Sequence, residues 1–258
     1  MKKILAVAIA SLGISGFSQA ASFVNGGFED GNTSGWDVSN SFNRGAANVL
    51  NPALTPTLIF ANQNSIMRSS IIDTAYVDPR LGATLGSTVH TGTYAMRVED
   101  TTTGGFASAI RQSVLNYTDA NIFFAWKAVL LGAHGVNDAA TMKLVLRDDT
   151  TGTDLIVREY NAAAGGGGVD PRFSLSGSIY YTRDWQIEQL AIDASLSGHN
   201  FTLSVLASDC EPTAHYGYVY LDGFGARPPD PTVPEPASMA LLGLGLAGLA
   251  AIRRRKIV

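Results

Sequence analysis

The 258-residue chain has one cysteine, Cys210, and four histidines. A single thiol closes no internal disulfide, so the fold has to be held by its core. Cys210 itself reads as a small buried side chain near a strand end, or else as an intermolecular link or a nucleophile. Lysine is scarce: residues 22–227 contain only Lys127 and Lys143, and there 12 Lys and Arg face 20 Asp and Glu, a net charge of −8. A domain with no basic stripe cannot neutralise a run of phosphates, which argues against nucleic acid as a partner and against docking on anionic lipid. An acidic surface suits divalent cations and does not repel neutral glycans.

Catalytic signatures are also missing. The glycine run at 165–168 is not followed by Lys and Ser or Thr, so it is no phosphate-binding loop. There is no H-E-x-x-H, no G-x-S-x-G and no Cys/His spacing of the zinc type. His90, His134, His199 and His215 lie on different segments. Asp73, Asp78, Asp148, Asp149 and Asp184 read as turn and surface residues rather than as a glycosidase pair. With no site signature the expectation is a protein that is not an enzyme.

The two ends are distinctive. Met1-Lys2-Lys3, an uncharged apolar run and Ser18-Gln19-Ala20 form a basic, apolar and small-residue succession, which predicts a signal peptide over residues 1–20. At the other end, prolines recur densely over residues 228–236, as in a stiff polyproline-like spacer. Residues 237–252 are uncharged and rich in Leu, Ala and Gly, and Arg253, Arg254, Arg255 and Lys256 follow. This predicts a single transmembrane helix over 237–252 with a basic cytoplasmic tail at 253–258 and the domain outside. Pro234-Glu235-Pro236, the apolar helix and the basic cluster, in that order, resemble the PEP-CTERM sorting signal. The resemblance implies processing by an exosortase, an integral-membrane transpeptidase-like enzyme, and delivery to the cell surface or to an extracellular polysaccharide matrix. It concerns the handling of the protein, not the activity of its domain.

Between the ends, strand signals dominate. In 141–147, Met142, Leu144 and Leu146 alternate with Lys143, Val145 and Arg147; in 200–207, Phe201, Leu203, Val205 and Ala207 alternate with Thr202 and Ser204. Tyr94, Met96 and Val98 oppose Arg97 and Glu99. A period of two marks half-buried strands of an antiparallel sheet. Residues 121–131 are apolar on both faces and predict a central strand containing Trp126 in the core, while 148–154 reads as a hairpin turn. Further strands are expected at 155–160, 179–181, 185–192 and 216–224. No long stretch has helical periodicity, so the expected fold is an all-β antiparallel sandwich over residues 22–227. Residues 39–90 and 161–170 are weakly patterned, and long loops on a β scaffold are where binding surfaces are usually built.

Asn25-Gly26-Gly27-Phe28-Glu29 near the start, Gly92-Thr93-Tyr94 in the middle and a closing strand through Asp222 are together similar to the galactose-binding-like jelly rolls, which include carbohydrate-binding modules. The resemblance implies a jelly-roll sandwich and a structural calcium joining the first and last strands, with Glu29 and Asp222 at the two acidic positions. Two carboxylates alone do not define a calcium site, because the ion takes six to eight oxygens; both residues also fit as ordinary hydrogen-bonding groups at strand ends.

Sugars present flat CH faces that stack on aromatic rings. Trp36, Tyr76, Tyr180, Tyr181, Trp185 and Tyr216 lie near turns or loops and are the candidate stacking residues, although large aromatics also carry much of the burial in a sandwich. The expected function is polysaccharide binding by an exosortase-processed surface or matrix protein. The alternatives are a structural matrix or surface-layer component that self-associates, and, third, a polysaccharide hydrolase or lyase.

Overall fold

The computed structural model describes residues 23–132, 134–163 and 169–228. The expected signal peptide, the spacer beyond Pro228, the sorting helix and the basic tail lie outside the described residues. Among the described residues no helix is long and apolar enough to cross a membrane.

Among the described residues, thirteen strands and one short α-helix run in the order β1 (Asp37–Val38), β2 (Phe42–Asn43), α1 (Pro56–Asn62), β3 (Ser70–Asp73), β4 (Tyr94–Val98), β5 (Phe106–Tyr117), β6 (Asn121–Leu131), β7 (Thr141–Asp148), β8 (Thr153–Asn161), β9 (Phe173–Ser176), β10 (Ile179–Thr182), β11 (Gln186–Ala191), β12 (His199–Ser208) and β13 (Gly217–Gly225). They form two sheets. One has the order β1-β5-β12-β7-β8, with β2 also on β5; the other has β3-β4-β13-β6-β10-β9, with β11 also on β6. Every pairing is antiparallel. The protein is the expected all-β jelly-roll sandwich.

The alternation seen in the sequence decides which residues enter the space between the sheets. Met142, Leu144 and Leu146 on β7 and Phe201, Leu203, Val205 and Ala207 on β12 face Met96, Val98, Phe124, Trp126, Val219 and Leu221 from the other sheet, all buried in one cluster. β6 is buried along nearly its whole length because it lies between β13 on one side and β10 and β11 on the other. Asp148 terminates β7 and shapes the predicted hairpin turn, its carboxylate accepting from the amides of Thr150 and Thr151 and from the Thr151 hydroxyl. It is nevertheless buried, not at the surface, since His199 Nδ1 closes over it at 2.9 Å.

The weakly patterned stretch 39–90 is folded, and it covers the outer faces of both sheets. Its first part carries α1. Thr55 caps the helix by accepting from the Leu58 amide at 3.1 Å, and Pro56 occupies the first turn. Seven residues are too few for an independently stable helix. Burial of Ile59 and Leu54 against Phe42, Ala107, Ala109 and Leu206 holds it on the outer face of the first sheet. The second part, 74–92, lies on the outer face of the other sheet, where Leu81, Leu85 and Val89 pack on Ala95, Val129, Tyr218 and Tyr220.

Two polar anchors fix this second cover. Asp78, expected at the surface, is buried: it accepts from the Tyr218 and Tyr220 hydroxyls, both at 2.7 Å, and from the Arg80 and Leu81 amides. Lys127, buried on β6, donates to the carbonyls of Leu85 and Ser87 at 2.8 and 3.0 Å. Burial lowers its pKa to about 8. Glu99 also departs from the alternation pattern. Its φ of 65° turns the chain at the end of β4, so the carboxylate faces inward and meets Arg68 and the Ser108 hydroxyl.

Candidate functional site

The first and last segments of the domain meet, as the motif pair implied. The Phe224 amide donates to the Gly26 carbonyl at 3.0 Å. A Cβ at Gly26 would fall 1.7 Å from the Phe224 oxygen, so only glycine permits this approach. Glu29 reaches from this segment to the start of β4, where its two oxygens accept from the Thr93 amide at 2.9 and 3.1 Å and from the Tyr94 amide at 3.1 Å. Gly92 has φ +67°, and a Cβ there would lie 2.3 Å from the Glu29 carboxyl carbon. The sequence N-G-G-F-E and the sequence G-T-Y are thus two halves of one contact.

Asp222 faces the same place from β13. Its Oδ2 accepts from the amides of His90 and Thr91 at 2.9 and 3.0 Å. Its Oδ1 is buried with no hydrogen-bond partner. Burial raises the Asp222 pKa to about 7, the nearby Glu29 charge adding to the effect. A Cβ at Gly27 would sit 3.5 Å from Asp222 Oδ1 and 3.9 Å from Glu29 Cγ, which puts the two acidic side chains on either side of one small space. The residues fit a hard cation in one respect: an unpartnered buried carboxylate oxygen is available beside a second carboxylate.

The six candidate stacking aromatics do not form one platform. Trp36 is in the core between the sheets: its ring stacks on Phe28 at 5.0 Å and meets Phe224 at 5.6 Å, and its Nε1 donates to the Asn25 carbonyl. Tyr181 and Tyr216 are buried beneath the 74–92 cover. The expectation that these three present open faces fails for one reason: proximity to a turn in sequence does not show what lies over the turn. Tyr76 is half-buried in that cluster, with Arg97 above its ring and donating to its hydroxyl at 2.8 Å. Trp185 is half-buried as well. Its Nε1 donates to the Ser87 carbonyl, and the His90 ring lies against it at 5.3 Å.

Tyr180 is in a different position. It sits on β10 opposite Leu130, with its side chain partly packed against the central cluster. It lines a cleft of about 460 Å³ together with Gly132, His134, Val136, Ala163, Leu175 and Ser178. Leu175 and Val136 are exposed. Ala162 and Ala163 follow β8 in one sheet and Tyr180 belongs to the other, so the cleft opens between the sheets at one end of the sandwich. A second concavity, about 480 Å³, lies on the outer face of the first sheet and is lined by paired charges: Arg111 with Asp37 at 3.0 Å and Arg147 with Asp154 at 2.7 Å.

Solved structures similar to this chain include TmCBM61 in complex with β-1,4-galactotriose, at 12% identity and TM-score 0.39, covering 79% of this chain and 96% of that one. A carbohydrate-binding module specific for non-crystalline cellulose, CBM28, is similar at 13% identity and TM-score 0.37, over 76% and 89% of the two chains. So is the Stig cyclase Fisc from Fischerella sp. TAU, at 13% identity and TM-score 0.36, over 80% and 96%. No curated protein matches the sequence. Residues 232–256 match the PEP-CTERM protein-sorting motif, which takes in Pro234, Glu235, Pro236 and the basic cluster Arg253, Arg254, Arg255 and Lys256 and marks the chain as an exported, exosortase-processed protein of the cell surface.

Proposed function

We propose that the sandwich binds neutral extracellular polysaccharide in the Tyr180 cleft, as the working domain of an exosortase-processed surface or matrix protein. The observation that carries this reading is the half-buried Tyr180 ring in a cleft of about 460 Å³, within the roughly 300–1,000 Å³ range of small-ligand sites. A ring face and exposed apolar neighbours meet the CH face of a sugar, while the Ser178 hydroxyl and the backbone at Gly132, Gly135 and Gly177 offer hydrogen-bonding groups to its hydroxyls. The negative domain charge favours neutral over anionic glycans. Burial also favours binding over carbohydrate hydrolysis. Glu99 and Asp209 are wholly buried, Glu29 and Asp222 hold backbone amides, and the acids of the outer groove are ion-paired.

Calcium belongs to the same proposal as a structural ion. Asp222 Oδ1 and the Glu29 carboxylate would hold it at the junction of the first and last segments, with backbone carbonyls and water completing the shell. Its charge would offset the burial of Asp222.

The test is affinity electrophoresis of the full chain in mild detergent against a panel of neutral and anionic polysaccharides, with calcium and with a chelator. Retardation by a neutral glycan is expected, weakened about fivefold in Tyr180→Ala, since loss of a stacking ring removes on the order of 1 kcal/mol. A folded protein retarded by no glycan would transfer the reading to self-association in a matrix. Concentration-dependent oligomers in sedimentation would then be expected.

A further inference from the structure

The single cysteine and two of the four histidines, far apart in sequence, converge at one corner of the sandwich. Donor atoms of His134, Cys210 and His215 all lie within 4.8 Å of one another. Two segments build this corner: the stretch after β6, which carries His134, and the connection from β12 to β13, which carries Cys210 and His215. The Leu131 amide donates to the Tyr216 carbonyl at 2.9 Å, and the Glu211 amide to the Asp138 carbonyl at 2.7 Å, so backbone bonds clamp the two segments together. We propose that this corner is a binding site for a borderline-soft transition ion of the zinc class, held by the Cys210 thiolate and the His134 and His215 imidazoles.

Four features of the corner support it. One sulfur and two imidazole nitrogens form a donor set suited to zinc or copper, not to calcium or magnesium, which take oxygen. His215 Nδ1 is buried without a hydrogen-bond partner, an unusual state for a ring nitrogen and one that a metal–nitrogen bond would resolve. The two imidazoles lie side by side with centroids 4.7 Å apart and planes at 45°, so that their nitrogens can converge rather than stack. Gly132, with φ +58°, makes room for the His215 ring: a Cβ there would lie 2.5 Å from the ring carbon Cδ2.

The remaining requirements are small. Tetrahedral zinc places its nitrogen and sulfur donors about 3.3–3.6 Å apart, from bonds of about 2.0–2.3 Å. The observed spread therefore closes by about 1 Å, a movement available to the exposed His134 ring. The Cys210 thiol now donates to the Thr213 carbonyl at 2.6 Å, and burial raises its pKa. Binding would exchange that proton for the ion, forming one S–metal bond and releasing one proton to solvent. Burial, and then the neighbouring His134, lower the His215 pKa. Three protein ligands leave the fourth position open, and one of the three, His134, also lines the Tyr180 cleft. The site does not depend on the glycan reading, because its donors and its test are separate from sugar binding.

The test is titration of the reduced, untagged full chain with cobalt(II) as spectroscopic probe, followed by competition with zinc. A thiolate-to-cobalt charge-transfer band in the near ultraviolet is expected, saturating at one ion per chain, displaced by zinc and accompanied by proton release. Cys210→Ser should abolish the band. His134→Ala, a change at an exposed position that leaves the core intact, should weaken binding by about tenfold or more. Absence of the charge-transfer band from a folded, reduced chain at saturating cobalt would overturn the proposal. So would binding left unchanged by both substitutions.

Discussion

Replacing Asp78 by alanine tests whether the long cover over the outer face of the second sheet is held by its polar anchor or only by apolar contact. The carboxylate accepts four hydrogen bonds: from the Tyr218 and Tyr220 hydroxyls at 2.7 Å each, from the Arg80 amide at 2.8 Å and from the Leu81 amide at 2.7 Å. Bonds to a charged group contribute about 1.5–3 kcal/mol each in favourable cases, and donors left buried without a partner cost about 1–3 kcal/mol each. The Arg80 amide bond is only part-buried, whereas both tyrosine rings are fully buried. The expected loss is therefore about 3–5 kcal/mol, the range for breaking a buried charged network. Asp78→Asn, which keeps the shape and one acceptor, should lose about 1–2 kcal/mol. Urea unfolding of the full chain, followed by tryptophan fluorescence, measures both. Tyr218→Phe and Tyr220→Phe should each cost about 1 kcal/mol alone and less in the Asp78→Ala background, since the shared acceptor is then gone. A loss below about 1 kcal/mol in Asp78→Ala, with additive tyrosine changes, would refute the reasoning and assign the cover to apolar packing. Alkaline pH probes the same network. Burial, and then the Asp78 charge, raise the pKa of both tyrosines above the usual 10. The folded state therefore holds their protons more tightly than the unfolded state does. Their contribution is full below pH 10 and is lost as pH rises beyond it, with tyrosinate absorbance appearing together with unfolding.

Lys127 should act in the opposite direction. Its pKa is lowered to about 8 from 10.5, so the folded chain releases this proton first, and stability gains a term as pH rises from about 8 to 10.5. Urea midpoints across that window should lose this term in Lys127→Met, and an identical pH profile in the variant would show that the amine is not burdened by burial. For the calcium proposal, the melting temperature of the full chain should rise with added calcium and fall with chelator, and Asp222→Asn should remove the calcium response. A melting temperature indifferent to calcium in the unmodified protein would exclude a structural ion between Glu29 and Asp222.

Which features were legible in the sequence follows from their range along the chain. The period of two in 141–147 and 200–207 assigned faces correctly because side-chain direction alternates locally, whatever the rest of the fold does. The two-sided apolar run at 121–131 identified the central strand for the same reason. Glu99 broke the rule because one residue in the left-handed region ends the alternation, and the pattern of residue types does not show where that happens. The paired motifs around Glu29 and Asp222 pointed to the meeting of the first and last segments of the domain through a resemblance, and the close approach of Gly26 to Phe224 and of Gly92 to Glu29 is the physical basis of those motifs.

By itself the sequence determined the class of fold, the acidic and lysine-poor character of the domain, and the sorting tail, each of which depends on composition or on contiguous residues. Only the tertiary structure decided which aromatics reach solvent, because the cover that buries Tyr181 and Tyr216 comes from residues 74–92, far from both in sequence. It also decided where the histidines meet. His134 and His215 share a corner through the backbone pairing of Leu131 with Tyr216, and a contact spanning some eighty residues leaves no mark in the spacing of either segment.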